Sequence, residues 1–288
     1  MAEAAPRFEM RGIRRTFPGV VALDDVSFAC DAGSVHALCG ENGAGKSTLM
    51  KILGGVYQPD DGEIRIDGHI VRLNHPVEAR RLGISIIHQE LSLLPDRTVA
   101  ENIYLGAEPT HWGVLDRAAM STGAAQWLQR FGSGIAAEAR AGDLSIAEQQ
   151  IVEIAKALIS NARILVMDEP TAALDDSETD RLLALVRQLR REGVAIVFIS
   201  HRMTQVFAIA DRITVLKDGR LVGTYPREHL TADEVVRMMV GRELQDYYPA
   251  RARRSANGRV PLLSVRDGGN DVLDGINLDL CAGEVVAI

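Results

Sequence analysis

Residues Gly40 to Thr48 read GENGAGKST, and the fold of this chain follows from them. The nonapeptide fits the pattern GxxxxGK[ST]. It comes directly after the apolar run Val35 to Leu38 and directly before Leu49, Ile52, Leu53 and Val56, which recur at helical spacing. Strand, glycine loop and helix therefore succeed one another. Glycines at 40, 43 and 45 let the backbone curl until consecutive N–H groups point inward, and the helix that follows adds the positive end of its dipole. The product is an anion cradle whose candidate residues are Gly40, Asn42, Gly43, Ala44, Gly45, Lys46, Ser47 and Thr48. Lys46 would reach the β and γ phosphates of a nucleotide, and the Ser47 hydroxyl would ligate Mg²⁺.

Outward from this loop, short apolar runs alternate with segments of helical period. The runs are Val35 to Leu38, Ile84 to Ile87, Ile164 to Met167, Val194 to Ile199 and Ile213 to Leu216, apolar on both faces as strands buried between helix layers must be. Between them, Ile151, Ile154, Ala155, Leu158 and Ile159 form one helix stripe, and Leu182, Leu185, Val186 and Leu189 another. The alternation predicts an α/β fold with a parallel sheet covered by helices. Residues 97 to 142 break the rhythm, being rich in Ala, Gln and Gly without a buried-strand run, and predict a mostly helical insertion. The pattern ends near Tyr247, and Pro249 to Pro261, with four arginines, predicts an exposed linker.

Beyond the linker the chain repeats itself. VLDGINLDLCAGEVVAI (Val272 to Ile288) matches ALDDVSFACDAGSVHAL (Ala22 to Leu38) without a gap at an offset of 250. A second copy of the first domain is expected to begin here and to stop inside its strand. The expected domains are thus 1–248, with a helical subdomain at about 97–160, a linker at 249–261, and a truncated second domain at 262–288.

The chain has 288 residues, 47% hydrophobic, 25% charged and 5% aromatic, the balance of a globular protein able to bury a core. Its formal net charge of -7 disfavours broad binding to nucleic acid or an anionic membrane, since affinity for a polyanion needs a cationic face. Three cysteines, Cys30, Cys39 and Cys281, lie in apolar runs and read as buried thiols of a reducing compartment. No apolar run approaches the roughly 20 residues of a membrane span, and the N-terminus lacks the pattern of a signal peptide. The expected location is cytoplasmic, or peripheral to a membrane through a partner.

ILVMDEP (Ile164 to Pro170) is an apolar strand ending in two carboxylates. Asp168, at the strand's carboxyl end beside the phosphate loop, suits a water-bridged Mg²⁺ contact, and Glu169 suits polarising an attacking water. A phosphate loop with an adjacent catalytic glutamate points to an ATPase rather than a kinase. A GTPase reading fails for want of an NKxD motif.

The chain resembles the ATP-binding subunits of ABC transporters, most closely the tandem-domain ATPases of bacterial importers of ribose, xylose and galactose. The motifs stand in the family's order: GENGAGKST, IIHQE (Ile86 to Glu90), LSIAEQQ (Leu144 to Gln150), VMDEPTAALD (Val166 to Asp175) and ISHRM (Ile199 to Met203). They cover residues about 8 to 248, with the partial repeat after Pro261. The resemblance implies a P-loop NTPase core of the ABC kind with a mostly parallel sheet, an N-terminal antiparallel β subdomain and a helical insertion. It implies that Gln89 touches Mg²⁺ and the attacking water and relays nucleotide state to membrane subunits, and that His201 contacts the γ phosphate and orients Glu169. It implies that Phe17 stacks on adenine, that Ser145 belongs to the signature that meets ATP, and that Asp175 acts across a dimer interface. ATP and Mg²⁺ are the implied substrate and cofactor.

The signature departs from the usual LSGGQ: Ile146 and Ala147 replace both glycines and Glu148 the glutamine. Ser145 with Glu148 three residues on predicts a capping box at the start of a helix. In a head-to-tail ABC dimer that helix end faces the partner's γ phosphate, where a carboxylate and a methyl oppose what bare backbone and a positive dipole would do. The implied partners are a second nucleotide-binding domain, in the same full-length chain or a homodimer, membrane permease subunits, and a periplasmic sugar-binding protein indirectly, with no nucleic acid. The competent site's other half is expected beyond Ile288, and the expected place is the inner face of the cell membrane. The expected function is ATP hydrolysis driving monosaccharide import. Two alternatives stay open: a soluble tandem ABC ATPase acting on the ribosome, disfavoured by the short linker and acidic balance, and a nucleotide-binding fragment without turnover.

Overall fold

The computed structural model describes residues 5–240, 260–269, 274–283 and 286, and the chain divides into two compact units, 1–242 and 243–288. In the first unit a hairpin of β1 (Phe8–Phe17) and β2 (Val20–Cys30) leads to β3 (Val35–Cys39), the phosphate loop and α1 (Lys46–Leu53). There follow β4 (Asp61–Ile66), β5 (His69–Val71), α2 (Pro76–Arg81), β6 (Ile84–Ile87), α3 (Val99–Ile103), β7 (Thr110–His111), β8 (Val114–Leu115), α4 (Arg117–Arg130) and α5 (Ile146–Ile159). The unit continues through β9 (Ile164–Asp168), α6 (Asp176–Arg191), β10 (Ala195–Ile199), α7 (Met203–Ile209), β11 (Arg212–Lys217), β12 (Arg220–Pro226) and α8 (Ala232–Val240).

Every one of the five apolar runs becomes a strand of one sheet, ordered β12-β11-β3-β10-β9-β6. It is parallel except for the antiparallel edge strand β12. Strand alternation decides which core each side chain joins. Ile164 and Val166 of β9 face α1 and the hairpin residues Phe8, Met10 and Phe28, whereas Leu165 and Met167 face α6 through Leu182, Leu185, Val186 and Leu189. Val56 departs from its expected place: α1 ends at Leu53, turns at Gly54 and Gly55, and leaves Val56 half exposed.

The second sheet is antiparallel, in the order β2-β1-β4-β5. The insertion is helical, with a core of its own around Val99, Ile103, Met120, Leu128 and Val152, but it also holds the short β7–β8 ladder. Among the described residues no helix is long and apolar enough to cross a membrane. Cys30 and Cys39 are buried as expected, and burial pushes each thiol up to about 12, which keeps it protonated and unreactive. Cys281 is only half-buried.

In the second unit β13 (Pro261–Gly268) pairs antiparallel with β14 (Ile276–Cys281). The register reproduces that of β1 with β2. Phe8↔Cys30, Glu9↔Ala29, Met10↔Phe28 and Ile13↔Val26 are answered by Leu263↔Leu280, Ser264↔Asp279, Val265↔Leu278 and Gly268↔Ile276. Corresponding residues lie 255 apart on the first strand and 250 apart on the second, so the connection between the strands is five residues shorter in the second hairpin. The left-handed residues match as well: Gly12 (φ 59°) with Asp267 (φ 49°), and Asp25 (φ 55°) with Gly275 (φ 67°). Most of the linker expected at 249–261, and the repeat's last strand, lie outside the described residues.

Candidate active site

The phosphate loop leaves the carboxyl end of β3, the central position that a ligand site takes in an open parallel sheet. Two of its glycines are required by space. A Cβ on Gly40 would stand 2.5 Å from the Leu216 carbonyl oxygen. Gly45, at φ +100°, would place one 2.8 Å from both the Ala22 carbonyl oxygen and a Leu23 methyl. The loop is thus wedged against β2 and β11, and any side chain at either glycine would push it out of line. Lys46 opens α1, and its Nζ donates to the carbonyls of Gly40 (2.7 Å) and Glu41 (3.0 Å).

β10 lies between β3 and β9, so the ends of these strands bring Lys46, Asp168, Glu169 and His201 to one edge of the sheet. Partial burial lowers the pKa of the Lys46 ammonium, while the charges of Glu169 and Asp168 act against that shift. Asp168 is displaced the other way: burial and the like charge of Glu169 raise its carboxyl above the usual range, with Lys46, His88 and Lys51 opposing. Asp168 is thus short of positive charge. Glu169 accepts a 2.9 Å contact from His201 Nδ1, the histidine being largely exposed on the turn after β10. Its backbone is left-handed, at φ 49°, and its N–H donates to the Ile199 carbonyl at the end of β10. A non-glycine residue in that conformation stores on the order of 1–3 kcal/mol of strain, which aims the carboxylate away from the line of the strand.

Beneath these residues lies a buried polar network that sequence reasoning missed. Thr171 Oγ1 donates to Gln205 Oε1 (2.5 Å), and Ser200 Oγ lies 3.4 Å from the same oxygen and accepts from Arg202 N–H. Thr171, Ser200 and Gln205 are all buried, and they join the loop after β9 to the loop after β10. The only signal in the sequence is polar residues at the ends of apolar runs, which solvated turns also produce.

The remaining candidates are placed as follows. Gln89 is exposed in the bend after β6, the strand that pairs with β9. Ser47 is exposed beside Lys46, and Asn42 and Gly43 are exposed in the loop, while Ala44 and Gly45 are buried. Phe17, at the end of β1, meets Tyr57 edge-on with ring centroids 5.3 Å apart, and the Arg15 guanidinium lies 5.0 Å from the Phe17 centroid. Neither Tyr57 nor Arg15 stood out in the sequence, since an isolated Tyr in a polar turn carries no pattern. Ser145 caps α5, accepting from Glu148 N–H (3.3 Å) while Glu148 Oε2 accepts from Ser145 N–H (2.9 Å), so the carboxylate folds back on its own helix. Asp175 caps α6 in the same manner with Glu178.

A phosphate loop at the centre of a parallel sheet, a helical insertion between β6 and β9, and an antiparallel flank define an ATP-binding cassette. The chain belongs to the ABC transporter family, whose family model matches residues 23–172. It is 53% identical, over 98% of its length, to ribose import ATP-binding protein RbsA 1 of Rubrobacter xylanophilus. It is 48% identical over its whole length to the protein of the same name from Streptomyces avermitilis. It covers 56% and 55% of these two proteins, so the chain spans about half the length of the curated relatives it matches. Among solved structures it is similar to the ADP conformation of an ATP-binding cassette of an ABC transporter, with 26% identity, a TM-score of 0.72, and coverage of 83% of this chain and all of that one. It is also similar to a dimeric cassette in a post-hydrolysis state bound to ADP and Pi, with 26% identity, a TM-score of 0.66, and coverage of 76% of this chain and 98% of that one.

Proposed function

We propose that this chain binds Mg·ATP in the loop Gly40 to Thr48 and hydrolyses it in partnership with a second nucleotide-binding domain, driving import of a monosaccharide of the ribose class through membrane permease subunits. The observation that carries the reading is the meeting of Lys46, Asp168, Glu169 and His201 at the ends of β3, β9 and β10. Relatives named for ribose import favour this over action on the ribosome.

The loop N–H groups and Lys46 would bind the phosphates, and Phe17 would lie against the base. Glu169, held by its left-handed backbone and by His201, would polarise the water that attacks the γ phosphorus, and His201 would contact the γ phosphate. The P–O bond to ADP then breaks and phosphate leaves. The residues present fit Mg²⁺. Asp168 is a carboxylate short of positive charge, Ser47 is an accessible hydroxyl, and Gln89 stands at the end of the neighbouring strand. Among the described residues no three His, Cys, Asp or Glu side chains converge on one point, which suits a cation held jointly with phosphate oxygens. Mg²⁺ when bound supplies charge neutralisation on the β and γ phosphates. Asp175, at the start of α6, and the Ser145 end of α5 would face the partner domain. The shared register of the two hairpins supports a second copy of the fold beginning after the linker. A periplasmic sugar-binding protein would deliver the sugar, and the chain would sit on the cytoplasmic side of the membrane.

The test is the ATPase rate of the chain against its own concentration with Mg²⁺. A rate per molecule that climbs with concentration is expected, with Lys46→Ala losing ATP binding and Glu169→Gln binding ATP without turnover. Turnover retained in Glu169→Gln would overturn the role given to Glu169. Binding without turnover at any concentration would show that LSIAE does not complete a site.

A further inference from the structure

Glu153 is the buried carboxylate of the helical insertion that nothing above employs. It lies on α5, 7% exposed, beside Val152, Ile154 and Ala155 of the apolar cores. A carboxylate in such surroundings persists only where it is hydrogen-bonded or paired. Three donors converge on its Oε1: Ser92 N–H at 2.9 Å, Ser92 Oγ at 2.8 Å, and the Lys156 ammonium at 3.7 Å. Lys156 Nζ also donates to Ser92 Oγ at 3.3 Å. Ser92 is three residues past Gln89, in the loop that leaves the sheet at β6.

The rest of that loop is held by the insertion too. Asn102 of α3, fully buried, accepts from Leu94 N–H at 2.7 Å and donates to the carbonyls of Leu94 and Thr98 at 3.0 Å each. Gly142 N–H donates to the Pro95 carbonyl at 3.0 Å. From Ser92 onward, then, the loop is bonded to helices of the insertion, whereas Ile87, two residues before Gln89, is still paired with β9 of the sheet. Gln89 sits at the joint between the two bodies.

We propose that Glu153 is a positioning residue for the nucleotide site: it fixes the loop carrying Gln89 to α5, so that a shift of Gln89 on nucleotide binding is handed to the Ser145 end of that helix. Eight residues of α5 separate the two points, about 12 Å of rigid rod at 1.5 Å per residue. The inference rests on the proposed binding of Mg·ATP in the loop Gly40 to Thr48. It differs from a plain packing role in requiring communication, since a carboxylate placed for packing would stabilise the fold and leave the nucleotide response of α5 untouched.

Amide hydrogen exchange of the chain with and without Mg·ATP, at a protein concentration below that at which the ATPase rate climbs so that no partner covers α5, separates the possibilities. In the wild type, ATP is expected to slow exchange at 40–48, at 89–94 and in the first turn of α5, 146–149. In Glu153→Ala the response at 40–48 is expected to remain, exchange at 89–94 to rise roughly tenfold for loss of a charge-assisted acceptor, and the response at 146–149 to vanish. Glu153→Gln keeps an acceptor in the same place and is expected to restore most of that response. Should Glu153→Ala fail to fold, Ser92→Ala removes one donor at an exposed site and is expected to give an intermediate response. A full response at 146–149 in Glu153→Ala, an unchanged one in Ser92→Ala, a Gln variant no better than Ala, or a wild type that responds at 40–48 but not at 146–149 would each overturn the inference. A wild type without any response at 40–48 would instead overturn the proposed function, and the inference with it.

Discussion

Asp168 is a residue whose charge the folded chain disfavours at the site, because it is half-buried next to Glu169 with Lys46 as its chief compensation. Its carboxyl titrates above the ordinary value of 3.8, so its favourable contribution to folding is complete below that pH and is lost as pH rises through the raised value. Asp168→Asn is therefore expected to raise the melting temperature of the nucleotide-free protein at pH 7.5. The gain should shrink as pH falls toward 4, and Mg²⁺-dependent ATP affinity should fall at every pH; calorimetry and titration check both. An Asn variant less stable than wild type at pH 7.5 would contradict this assignment. The pair Asp168 and Glu169 was legible in the sequence as acids closing an apolar strand beside a glycine loop. The left-handed turn at Glu169 was not, because no residue type announces it: glycine would, and glutamate does not.

At the scale of elements, α5 shows how a helix end was readable while its surroundings were not. Ser145 and Glu148 at capping-box spacing predicted its start, and both reciprocal hydrogen bonds are present. Ser145→Ala should cost about 1 kcal/mol of unfolding free energy in urea titration, and a loss below roughly 0.3 kcal/mol would mean that water replaces the cap without penalty. The buried strands were equally legible, since a strand covered on both faces must be apolar throughout. The β7–β8 ladder was not: its residues Thr110, His111, Val114 and Leu115 are exposed and too few to show a period. The antiparallel flank was implied by resemblance alone, for β4 and β5 bury only Ile64 and Ile66 and alternate too briefly to be told from a loop.

Taken as a whole, the first unit holds a buried ionisable side chain that couples its global stability to mild acid. His36, on the central strand β3, is 2% exposed between the Ala29 carbonyl, 2.6 Å from Nδ1, and Thr214 Oγ1, 2.7 Å from Nε2. A carbonyl only accepts, so Nδ1 carries the proton, Thr214 donates to Nε2, and Thr224, 2.7 Å from Thr214 Oγ1, donates in turn. Burial drives this imidazole down to about 4 from 6.5. A depressed histidine contributes stability that is present above 6.5 and lost as pH falls toward 4, and at pH 5 the loss is about 2 kcal/mol. His36→Gln should flatten the stability profile between pH 7.5 and 5 by that amount, and an unchanged slope would contradict the neutral, buried imidazole. The two hairpins carry a different consequence. Between their matched strands the first has RRTFPGVV and the second only GND before VLDG, so the five missing residues remove the segment bearing Phe17 and leave no aromatic in its place. In the proposed pairing of two nucleotide domains, this hairpin would then offer the base a ring in the first domain and none in the second. A nucleotide held beside the second hairpin would go without the stacking, about 1 kcal/mol beyond buried area, that a ring at the place of Phe17 would contribute.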